Sequence, residues 1–110
     1  MMSPAEAAVK DIYFNALDKL NMMLLACRND EERAAIRLEF TRARSNFYTC
    51  VNKAFAANDQ ALDELVVQAN RAANDLKQIE EHLGNIAKVL DAMTQAVTYG
   101  SQIAAKVLAV

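Results

Sequence analysis

From Leu62 to Val107 apolar side chains recur at alternating intervals of three and four residues. Leu62, Ala69, Leu76, Leu83, Leu90, Val97 and Ala104 occupy the first position of a heptad, and Leu65, Ala72, Ile79, Ile86, Met93, Gly100 and Val107 the fourth. Thirteen of these fourteen positions are apolar and the other is glycine. Such a repeat lines one face of an α-helix but scatters over both faces of a strand. Only two glycines and one proline stand in 110 residues, so turns are few and helices are long. A chain of this length has room for one helical domain, residues 1–110, with a core that needs no disulfide or metal.

Local signals place the helix starts. Ser3, Pro4 and Glu6 read as N-cap, first helical residue and N3 of a capping box, so the first helix begins near Pro4. Its apolar face runs through Val9, Ile12, Tyr13, Ala16, Leu17, Leu20, Met23, Leu24 and Cys27, which predicts an end near Arg28. Asn29 followed by Asp30, Glu31 and Glu32 caps a second helix and complements its dipole. Ile36, Phe40, Ala43, Phe47, Cys50 and Ala54 carry that helix to about residue 57, and Asn58-Asp59 caps a third.

Gly84-Asn85 divides the expectations for the remainder. If Gly84 ends a helix in a left-handed conformation and Asn85 caps the next, the chain is an antiparallel up-down bundle of four helices of about 25 residues. This is the favoured architecture. If the heptad runs through unbroken, a helical hairpin is followed by one long helix of about 50 residues that must oligomerise to cover its seam. Glu80 and Glu81 before the break and Lys88 after it oppose the helix dipole and favour the second arrangement. A tight turn at Asn58 would place the second and third helices side by side, with Phe40 facing Leu76, Phe47 facing Ala69, Ala54 facing Leu62, and Arg37 near Glu80.

Reactive chemistry finds little footing. Cys27 and Cys50 fall at opposite ends of the first hairpin, on the order of 30 Å apart, and read as reduced core thiols. The sole histidine, His82, has Ile79 where a helical metal site would need an acid, so neither catalysis, metal nor cofactor is expected. Net charge is −2, and Arg33, Arg37, Arg42 and Arg44 are diluted by neighbouring acids, which argues against nucleic acid. Residues 1–11 contain Pro4 and Glu6 and no apolar run, the pattern of a cytoplasmic start, although signal-independent export would leave it unchanged.

The apolar residues left off the seams suggest an interaction module, an adaptor, secretion-type chaperone or substrate, or inhibitor that contacts a protein partner or another copy of itself. Met22, Leu25, Leu38, Tyr48 and Phe55 are candidate contacts, the last two forming a stripe with Val51. Ala96, Gly100 and Ala104 continue a line of small residues from Ala92 that admits a closely packed helix, within the chain or from a partner. The alternative is a peripheral membrane protein that inserts residues 86–110.

Overall fold

The computed structural model describes residues 2–108, which form four helices: α1 (Pro4–Ala26), α2 (Asp30–Cys50), α3 (Gln60–Lys77) and α4 (Ile86–Ala104). The four-helix arrangement therefore holds, and the long C-terminal helix does not form. The helices have 23, 21, 18 and 19 residues and pack into a body of 44 × 22 × 20 Å.

Each helix begins where a short polar side chain can satisfy an otherwise unpaired backbone N–H. Ser3 Oγ accepts from the Glu6 N–H at 3.1 Å, Asn29 Oδ1 from Glu32 at 2.8 Å, Asp59 Oδ1 from Leu62 at 3.1 Å and Asn85 Oδ1 from Lys88 at 3.3 Å. The capping box at the start of α1 is only half made. Instead of turning back to Ser3, the buried Glu6 carboxylate crosses to the end of α2 and accepts the Asn52 N–H at 2.8 Å.

That contact marks the first departure from expectation. α2 stops at Cys50 instead of near residue 57, because Asn52 turns left-handed at φ 57°, a conformation asparagine tolerates better than most residues. The segment 51–59 then runs across the end of the bundle. Phe55 pairs with Val107 as an isolated antiparallel bridge, the Leu108 N–H donates to the Ala54 carbonyl at 3.0 Å, and Lys106 pairs with Asp59 at 3.3 Å.

The crossing sets the topology. α1 packs against α2 and α3, and α4 packs against the same two, while α2 and α3 lie diagonally and do not touch. Cross-helix contacts fix the directions. Asn15 reaches the Ala73 carbonyl at 2.9 Å and Lys19 pairs with Glu80, so α1 and α3 run parallel. Asn46 donates to Ser101 Oγ at 3.0 Å, joining α2 to α4. The expected facing pairs of α2 with α3 are thus absent, and so is the Arg37–Glu80 pair. The facing pairs require a tight turn, and nine residues of crossing chain stand in its place.

The break before α4 also differs in detail. Gly84 has no left-handed φ. α3 ends at Lys77, a 3-10 turn occupies Ile79–His82, and Asn85 starts the next helix. Ending α3 on Lys77 removes the acidic half of the electrostatic objection, since Glu80 and Glu81 fall beyond its C-terminus and Glu80 holds Lys19, while Lys88 remains in the first turn of α4. After the break the buried face rotates: Ile86, Val89, Met93, Ala96, Val97, Gly100 and Ile103 are buried, whereas Leu90 and Ala104 are only partly so.

Candidate functional site

Because α4 packs on the inner side of the α1–α2 pair and α3 lies on the far side of α1, no other helix among the described residues covers the outer groove between α1 and α2. Five of the seven aromatic side chains collect there. Tyr13, only 9% exposed, is the hub, with ring centroids 5.3 Å from Phe14, 5.7 Å from Phe40 and from Phe47, and 6.4 Å from Tyr48. Phe47 in turn lies 5.7 Å from both Phe14 and Tyr48. Separations of this size are those of favourable offset and edge-to-face pairs.

Burial is graded across the cluster. Phe40 and Phe47 form a half-buried floor between the helices, and Phe14, Leu17 and Tyr48 rise from it at 43, 48 and 63% exposure. Sidedness follows from helical spacing: Arg37, Phe40, Arg44, Phe47 and Tyr48 share one flank of α2, and Lys10, Tyr13, Phe14 and Leu17 the facing flank of α1. Lys10 Nζ sits 5.6 Å from the Phe14 ring centroid, within cation–π range.

The cations of this face lack acidic partners. Among the described residues no carboxylate lies within 4.0 Å of Lys10, Arg37 or Arg44, whereas Arg28, Arg33 and Arg42 are all paired. The nearby acids point elsewhere: Asp11 lines a cleft with α3, Asp18 lies beside Lys19, and Glu39 lines a cleft with α4 and pairs with Arg42. The result is a basic, aromatic groove on a chain of net charge −2.

The other candidate contacts separate into two groups. Met22, Leu25, Leu38 and Tyr48 are all exposed, and of these Tyr48 is joined to the aromatic cluster by its ring contacts with Tyr13 and Phe47. Phe55 is half-buried in the crossing segment, and the stripe joining it to Tyr48 does not exist because α2 ends between them. Ala96 and Gly100 are buried and Ala104 partly so, filling the contact of α4 with its neighbours. Sequence reading missed Phe14, Lys10 and the exposure of Leu17. Pairing the first two helices across the short turn at residues 27–29 would have placed Tyr13 and Phe14 near Phe47 and Tyr48.

Phe47 also changes role. It stacks on Tyr13 at 27° instead of filling a space beside Ala69, and solvent already reaches it. Phe47→Ala should therefore cost less than the roughly 3 kcal/mol at which full aromatic burial begins. Urea unfolding measures it, and a larger loss would mean the groove is closed in solution.

Both thiols are free and buried. Burial raises the Cys27 pKa, with the Glu32 carboxylate adding to it, and pushes the Cys50 thiol from 9.0 up to about 11, with Glu6 adding to it. Cys50 stays protonated in the fold while the unfolded chain ionises, so its stabilising contribution is complete below about pH 9 and lost as pH rises towards 11. At pH 8 a disulfide reagent should label either cysteine only as fast as the fold opens. Rapid labelling of the native protein would contradict this.

His82 lines a polar cleft of about 440 Å³ with Asp75, Gln78, Lys88 and Asp91, between the 3-10 turn and α4. Among the described residues no three His, Cys, Asp or Glu side chains assemble as metal donors, and no helix is long and apolar enough to cross a membrane. No family model, curated protein or solved structure matches this chain.

Proposed function

We propose that this chain is a non-enzymatic protein-binding module whose working surface is the α1–α2 groove. The observation that carries this reading is the exposure of Phe14, Leu17 and Tyr48 above a half-buried aromatic floor. Aromatic rings are the most productive anchors of protein interfaces, and a monomer gains nothing by leaving them together in water. The membrane alternative has less in its favour. Inserting residues 86–110 would pull the buried Val89, Met93, Val97 and Ile103 out of the core; residues 109 and 110 lie outside the described residues.

Affinity capture from the native lysate tests the proposal, using wild type, Phe14→Ser with Tyr48→Ser, and the control Val67→Ser on the exposed side of α3. A protein held by wild type and control, lost from the double variant and rebound after purification is the expected result. Equal retention by all three would place the working surface elsewhere.

A further inference from the structure

Resting on that reading, we infer that the groove takes an acidic amphipathic helix of a partner protein, its apolar face on the aromatic floor and its carboxylates against Lys10, Arg37 and Arg44.

Shape and charge argue for this occupant together. The floor runs lengthwise between two antiparallel helices, and from Arg37 to Tyr48 it covers about 17 Å, three turns of a docked helix. Recessed Phe40 and Phe47 with protruding Phe14, Leu17 and Tyr48 make a channel with rims, suited to side chains at i, i+3, i+4 and i+7. Three cations with no carboxylate within 4.0 Å among the described residues border it, while Asp11 lines a cleft with α3, Glu39 lines one with α4 and pairs with Arg42, and Glu6 is engaged by the Asn52 N–H. Arginine is the cation best suited to bidentate pairing with a carboxylate.

The same charges disfavour two other occupants. A second copy docking groove to groove would bring two sets of Lys10, Arg37 and Arg44 together with no carboxylate between them. A lipid surface needs its anchors at the outermost level, and two of the four phenylalanines are sunk in this floor.

The test selects helical peptides of about 15 residues from a random displayed library on the full chain, in parallel with Arg37→Glu plus Arg44→Glu and with Phe14→Ser plus Tyr48→Ser. Circular dichroism confirms that each variant folds. Wild type should enrich amphipathic sequences rich in Asp and Glu, with affinity falling as salt rises, about tenfold or more weaker on the charge-reversed variant and abolished on the aromatic one. Enrichment of neutral or basic peptides, or undiminished affinity after charge reversal, would overturn the inference and leave the aromatic face as a binding surface. No enrichment would overturn it too. So would binding to phosphatidylserine vesicles without peptide selection, or a dimer dissolved by Tyr48→Ser. A lysate partner lost from the aromatic variant but kept by the charge-reversed one would sink the charge argument alone.

Discussion

Leu76→Ala should lower stability by about 2 to 5 kcal/mol, the largest effect expected from one substitution in this chain. The buried stripe of α3 consists of Leu62, Ala69, Ala72, Ala73 and Leu76, so alanines bring the backbone close to α1 and α4, and Leu62 and Leu76 are the two large side chains of that stripe, with Leu65 and Val66 partly buried beside them. Leu76 is fully buried and Leu62 is 6% exposed. Truncating Leu76 opens a cavity that cannot readily collapse, since α3 is held beside α1 by the Asn15 hydrogen bond below and the Lys19–Glu80 pair above. Against a total of about 5 to 15 kcal/mol, this loss removes a large fraction. Urea unfolding should show a lower midpoint with an unchanged slope. A change under about 1 kcal/mol would mean that α3 is rotated from the position described.

Gly100→Leu should destabilise by about 1 to 3 kcal/mol, whereas Gly100→Ala should stay within about 1 kcal/mol of wild type. A Cβ at this position would lie 3.2 Å from Asn46 Nδ2 and 3.8 Å from Ile12 Cδ1. For alanine, a small shift of the Asn46 amide suffices, and the gain in helix propensity offsets it. Leucine adds three more carbons where α4 meets α1 and α2, and Ile12, 1% exposed, has nowhere to go. Since the crowding is intramolecular, the loss should not depend on protein concentration. A melting temperature that falls on dilution would show that α4 packs against another copy.

The part of this fold that was legible in the sequence is the part that local chemistry decides. Ser3, Asn29, Asp59 and Asn85 each start a helix because a short oxygen-bearing side chain meets the orphan N–H groups within three residues. The heptad likewise assigns helix without reference to neighbours. Which helices touch was not legible, because it turns on Asn52. Its left-handed backbone and bond to Glu6 span 46 positions of sequence and lengthen a tight turn into a crossing.

The candidate site inherits this limit. Tyr48 stood out as a residue off the seam, but Phe47 read as core because the third helix was expected to cover it. With α3 diagonal to α2, that cover is gone, and Phe14 and Leu17 on α1 become the opposite wall. Ala96 and Gly100, by contrast, kept the tight packing their size suggested. Small residues at helical spacing admit a neighbour whichever helix it proves to be.

Everything proposed for the groove depends on α3 lying away from it, and disulfide trapping measures this directly. In a background of Cys27→Ala and Cys50→Ala, the pair Asn46→Cys with Gly100→Cys bridges α2 and α4. A Cβ at position 100 lies 3.9 Å from Asn46 Cβ, close to the disulfide mean of about 3.8 Å. The pair Phe47→Cys with Ala69→Cys bridges α2 and α3 and closes only if consecutive helices are neighbours. Rapid, intramolecular oxidation of the first pair with none of the second is the predicted outcome. Oxidation of the second pair with the first remaining reduced would put α3 over the aromatic floor and contradict the account.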